Sequence, residues 1–158
     1  MKSKIFMACI ICVLSATTLA YGNTSGKVSS DYDKIILDFI DSHQKSDYKK
    51  LDEVLNDDAC FKLPRGEKIM VQNKASLVAA MKKDAGLQQN CESSYEVLAK
   101  SGAIVIARID FKYDNCTQHD YLILEKNTDK EWKITQVCKM FEDIKETEPT
   151  GNATASNL

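Results

Sequence analysis

CESSYEVLAKSGAIVIARIDFKYDNCTQHDYLILEKNTDKEWKITQVCKMF, residues 91–141, carries four runs of alternating apolar and polar residues separated by three turn signals. In the second run Val105, Ala107, Ile109, Phe111 and Tyr113 share one face, and Arg108, Asp110 and Lys112 share the other. A period of two is the signature of a half-buried strand. Ser101-Gly102, residues 114–117 and Asn127-Thr128-Asp129 supply turn chemistry between the runs. Four strands joined by short turns form an antiparallel meander. No metal-ligand spacing, phosphate loop or nucleophile elbow interrupts it, so the stretch fixes an architecture and declares no reaction.

Upstream the period changes. Tyr32, Ile35, Ile36, Phe39 and Ile40 form one apolar stripe at helical spacing, with Ser30 or Asp31 placed to cap it, which predicts a helix ending near Gln44. Asp47 caps a shorter helix whose face is Tyr48, Leu51, Val54 and Leu55. ACFKL and KIMVQ flank Pro64-Arg65-Gly66-Glu67 as a hairpin, and Asn73 opens a third helix through Leu77, Val78 and Met81 that Gly86 closes. Three N-terminal helices packed in a strongly curved, mainly antiparallel sheet, a hairpin plus a four-stranded meander, make a cone-shaped α+β domain. The open end of such a cone can hold a pocket.

The ends frame that domain. Lys2 and Lys4 precede an apolar run from Ile5 to Leu14, then small residues with a cleavage site after Ala20, the three parts of a secretory signal peptide. The run is too short to span a bilayer, which needs roughly 20 apolar residues. Residues 1–20 therefore read as signal peptide, 21–30 as linker, 31–142 as the folded domain and 143–158 as a disordered tail without apolar periodicity. The expected location is periplasmic or secreted, with no membrane attachment once the signal is cleaved. The formal charge of −2 is spread along the chain, with no basic cluster to neutralise phosphates, so nucleic acid is not an expected partner. Of six cysteines two lie in the leader, leaving Cys60, Cys91, Cys116 and Cys138. In an exported chain they are candidates for disulfides in any of three pairings, or for buried free thiols. With only two histidines and no CxxC spacing, neither a metal site nor a cofactor is implied.

The parity of the strands nominates a site. Trp132 and Ile134 alternate with Lys133 and Thr135, which turns the even-numbered face of the last strand inward and carries Gln136 and Cys138 with it. Across the turn, Leu124, Leu122, Asp120 and Gln118 share that face. Asp120 would then sit among apolar side chains and two amides, where desolvation raises a carboxyl's pKa and suits it to acid or base work. A register slip of one residue would instead turn Tyr121 and Ile123 toward the helices and Asp120 to solvent. Tyr113 and Tyr95 are inward on their strands, offering hydroxyls to a ligand or packing in the core with internal partners. His119 adjoins Asp120 in sequence but points to the opposite face. Candidate ligand-binding residues are thus Tyr113, Gln118, Asp120 and Gln136, with Asp120 the one catalytic candidate. Ile104, Ile106 and Ile123 give the outer face some apolar character, the mark of a homodimer interface.

YDKIILDFI, LDEVLNDDACFKL, CESSYEVLAKSGAIVIARIDF and EWKITQVCKMF together resemble the nuclear transport factor 2-like superfamily, which shares its cone with ketosteroid isomerases, scytalone dehydratase and polyketide cyclases. More narrowly the chain is similar to exported proteins of Bacteroidetes-type bacteria grouped as putative lumazine-binding. The resemblance spans residues 31–141 and implies a cone with a cavity, since one fold hosts many activities. The dehydratase's histidine–aspartate arrangement and the isomerase's tyrosine with two acids find no counterpart here. The leading expectation is an exported protein that binds an unknown small molecule without turning it over. The alternatives are an isomerase, dehydratase or cyclase using Asp120, with Tyr113 or Gln136 steadying an oxyanion, and a structural or interaction module whose cavity is filled.

Overall fold

The computed structural model describes residues 30–143 of the 158-residue chain. The leader read in residues 1–20, most of the linker and the tail beyond residue 143 lie outside the described residues. Helix α1, Asp31–Lys45, buries the stripe Ile36, Phe39 and Ile40. At its start the Ser30 amide and hydroxyl both donate to the Asp33 carboxylate, at 3.0 and 2.7 Å. It ends at Ser46, whose left-handed backbone (φ 49°) lets the last carbonyls find donors. Helix α2, Tyr48–Val54, is capped by Asp47, which accepts from the amides of Lys49 and Lys50.

Strand β1, Leu55–Arg65, turns through Gly66 at φ 61° into β2, Lys68–Asn73. Asn73 caps helix α3, Lys74–Lys83, by accepting from the Ser76 amide at 2.9 Å. The meander is β3, Glu92–Lys100, β4, Ile104–Lys112, β5, Cys116–Lys126, and β6, Trp132–Asp143. Asp143, read as the first residue of the tail, is instead the last residue of β6.

The six strands form one mixed sheet in the order β2-β1-β6-β5-β4-β3. Each sequential hairpin is antiparallel, and β1 joins the meander by a parallel pairing to β6. The helices cover the inner face, where Ile36, Leu51, Ile109, Phe111, Leu122 and Leu124 are shut away from solvent. This is the α+β cone that the periodicities indicate.

One feature of β6 changes the reading of the inner face. Leu124 pairs with Ile134, but Ile123 pairs with Gln136, so Thr135 is an extra residue on β6. Such a bulge reverses the parity of everything beyond it. Trp132 and Ile134 face the helices before it; after it, Val137 is buried and Gln136 and Cys138 are not. The expected inward placement of Gln136 and Cys138 is therefore corrected. Gln136 turns to the outer face, where its amide accepts from Lys62 and donates to the Cys138 sulfur.

Candidate functional site

Asp120 is the one fully buried ionisable side chain among the described residues, with 0% of its surface exposed. Its place follows from β5, where Gln118, Asp120, Leu122 and Leu124 alternate inward over a regular ladder to β4. Gln118 Nε2 donates to Oδ1 at 3.0 Å. Oδ2 has no hydrogen-bond partner among the described residues. Lys139 Nζ stands 3.9 Å from Oδ2, close enough for a charge contact and too far for a hydrogen bond. Burial pushes the Asp120 carboxyl above the usual range, against the opposing pull of Lys139 and the Gln118 bond.

Lys139 is there because of the bulge. With Thr135 accommodated, Val137 and Lys139 take the inward positions on β6, and Lys139 lies directly across from Asp120 in the ladder. Sequence reasoning missed it. The signal is present in Ile134-Thr135-Gln136-Val137, where two apolar residues three apart break an alternation of period two.

Asp120 and Lys139 line a cavity of about 40 Å³. Phe39, Leu51, Phe61 and Val137 form its apolar walls, and Leu77 and Met81 of α3 close it over. Ser42 and His43 complete the polar lining, and the Ser42 hydroxyl is already spent on the Phe39 carbonyl at 2.7 Å. Such a space has room for roughly one or two waters. The cover is the least anchored part of the wall, since α3 contains no fully buried residue. A broader groove of about 750 Å³ lies between the start of α1 and β3, lined by Tyr32, Tyr95 and Lys100. It is open to solvent and holds no buried polar group.

Tyr113 continues the inward face of β4 beyond Phe111, and its hydroxyl lies 2.7 Å from His43 Nε2. The His43 ring rests on Phe111 with centroids 4.1 Å apart. Burial, helped by the Lys139 charge, depresses the His43 imidazole to about 4. Burial, together with the Cys91 thiol, pushes the Tyr113 phenol up. Both are thus neutral near pH 7. His43 is the second residue that sequence reasoning did not nominate, because on a helix it resembles one more polar position at the end of a stripe.

Among the nominated residues, Gln118, Asp120 and Tyr113 are brought to one end of the cone and Gln136 is not. Tyr95 is 38% exposed and its hydroxyl donates to Asp33 at 3.2 Å, away from the cavity. His119 lies on the outer face, 2.7 Å from Asp110 and 3.4 Å from Glu142. The four cysteines are free, half-buried thiols. Cys91 and Cys116 flank the strand position of Tyr113, and Cys138 pairs with Lys62 two residues out of step with Cys60.

A family model described as "Putative lumazine-binding" matches residues 29–142. Solved structures share the fold at low identity. An NTF2-like protein of unknown function from Silicibacter pomeroyi is 10% identical, with a TM-score of 0.61 over 71% of this chain and 93% of that one. A protein described as a putative ketosteroid isomerase, from Shewanella frigidimarina, is 18% identical, with a TM-score of 0.52 over 72% and 98%. An NTF2-like protein from Cytophaga hutchinsonii is 21% identical, with a TM-score of 0.53 over 68% and 92%. No curated protein matches.

Proposed function

The chain belongs to the putative lumazine-binding family of NTF2-like proteins, and from that premise we propose that it binds a small, mainly apolar molecule with one polar edge. The observation that carries this reading is Asp120 Oδ2, a carboxyl oxygen kept out of water and left without a hydrogen bond at a cavity wall. An unpaired buried polar atom costs stability, on the order of 1–3 kcal/mol. A bound molecule that completes it recovers that cost as affinity. Asp120 and Lys139 side by side suit a neighbouring donor and acceptor, such as the N–H and C=O of a lactam, while Phe39, Phe61 and Val137 take up the apolar remainder.

A cavity of about 40 Å³ does not hold such a molecule at rest. Binding therefore displaces Leu77 and Met81, and the helix that carries them is the one held by partly buried contacts alone. The test is titration with lumazine, a fluorescent bicyclic lactam, alongside native mass spectrometry of protein purified from its own host. Saturable binding that Asp120→Asn weakens is expected. Absence of both lumazine binding and a retained small molecule would refute the reading.

A second reading makes Asp120 a proton shuttle on a bound ketone, and it draws on the raised proton affinity of that carboxyl. Asp120→Asn would then spare binding but abolish exchange of the ketone's α-hydrogens with deuterated water. We further propose export, on the leader read in residues 1–20, for which a mature N-terminus at Tyr21 is the check. A homodimer through the outer sheet face is proposed on the exposure of Ile104 and Met140. A monomer at high concentration in sedimentation would remove it.

A further inference from the structure

The direction of the His43–Tyr113 hydrogen bond decides what His43 offers to the cavity. Their hydrogen bond of 2.7 Å contains a single proton, held either by the phenol or by Nε2. Neither group is charged near pH 7, because burial opposes an imidazolium and a phenolate alike. Between a neutral phenol and a neutral imidazole, the phenol is the stronger acid and the imidazole nitrogen the stronger acceptor. The O–H therefore donates to Nε2. A neutral imidazole that accepts at one nitrogen carries its proton on the other. Phe111 against the ring face, and the Tyr113 amide's bond to the Cys116 carbonyl at 2.9 Å, hold this geometry. Nδ1 has no hydrogen-bond partner among the described residues, and His43 is part of the cavity lining.

We propose that Tyr113 is a positioning residue that fixes His43 as the Nδ1–H tautomer, making His43 a hydrogen-bond donor toward a molecule in the cavity. This rests on the cavity's being a binding site. It assigns specificity within it: His43 and Lys139 both donate, leaving Asp120 as the one carboxyl acceptor facing the cavity, beside the Ser42 hydroxyl oxygen. A molecule with two acceptors and one donor, such as an imide or a dicarbonyl heterocycle, satisfies all three. One rich in donors leaves His43 or Lys139 unpaired and is rejected, because unmet buried polar groups are costly.

The experiment is a long-range ¹H–¹⁵N correlation spectrum of the histidine rings in the unliganded, ¹⁵N-labelled protein at pH 7.5. The chain has two histidines, so His119→Gln identifies the signals of His43. A protonated Nδ1 and an unprotonated, hydrogen-bonded Nε2 are expected. Tyr113→Phe should move the tautomer ratio roughly five- to tenfold toward Nε2–H, the equivalent of one lost hydrogen bond. A proton on Nε2 in the wild type, or a ratio unmoved by Tyr113→Phe, overturns the proposal. Should Tyr113→Phe not fold, the wild-type spectrum decides the tautomer by itself. With lumazine as probe, His43→Gln should lose more affinity than His43→Asn, whose amide N–H stands near the place of Nδ1–H. The reverse order overturns the donor role. If lumazine does not bind the wild type at all, the binding reading suffers while the spectrum still decides the tautomer.

Discussion

Replacing Lys139 with methionine keeps the length of the side chain and removes the charge opposite Asp120. At 3.9 Å two unit charges attract by about 4 kcal/mol at an effective dielectric near 20. The lysine side chain is 28% exposed, so solvent screens part of this and about 2 kcal/mol remains. The attraction exists only when Asp120 is ionised. Because burial raises the folded-state pKa of Asp120, the unfolded chain loses that proton first, and stability falls as pH rises from the unfolded value near 3.9 to the folded one. Without Lys139 the folded-state pKa rises further and the decline continues to higher pH. Lys139→Met should therefore show little deficit from this pair near pH 4, growing to about 2 kcal/mol once the pH passes the folded-state pKa of Asp120. Urea denaturation across that range measures it. Lys139 also acts on His43, and repeating the substitution in an Asp120→Asn background cancels that contribution in a double-mutant cycle. A coupling that stays below roughly 0.5 kcal/mol across the whole pH range would refute the pairing.

Other outcomes follow from the same structure. His43, depressed to about 4, is buried neutral, so its contribution is complete above the unfolded value near 6.5 and is lost as pH falls toward 4. About 3 kcal/mol of acid sensitivity in that window should disappear in His43→Asn, as read by denaturation at pH 4 to 7. Deleting Thr135 removes the extra residue and leaves a regular β5–β6 ladder, with Gln136 still outward and Val137 and Lys139 still inward. The folded circular dichroism spectrum and the Asp120–Lys139 coupling should both survive this deletion, and loss of either would count against Thr135 as the extra residue. Met81→Ala, at a partly buried position on the cover, should cost only about 1–2 kcal/mol while enlarging the cavity and speeding lumazine association in stopped flow. Asp47→Ala removes both cap bonds of α2 and should lower stability by about 1 kcal/mol in urea.

The residues alone determined the order and type of the elements, because each depends on local periodicity and caps. The stripe from Tyr32 to Ile40, the caps at Asp47 and Asn73, and the alternation from Val105 to Tyr113 are all short-range signals. They also placed Asp120 and Gln118 inward, since β5 keeps an unbroken register with β4. Tertiary structure decided what stands opposite. The bulge at Thr135 lies in a strand with two different neighbours, antiparallel β5 on one side and parallel β1 on the other. A parallel partner nearly 80 positions away in sequence leaves no local trace. That one inserted residue puts Lys139 rather than Cys138 opposite Asp120 at the heart of the cone. The meeting of His43 on α1 with Tyr113 beyond β4 is likewise a contact between distant segments, set by how the helix lies across the sheet. Periodicity names the face of each strand; only the packed sheet determines which faces meet.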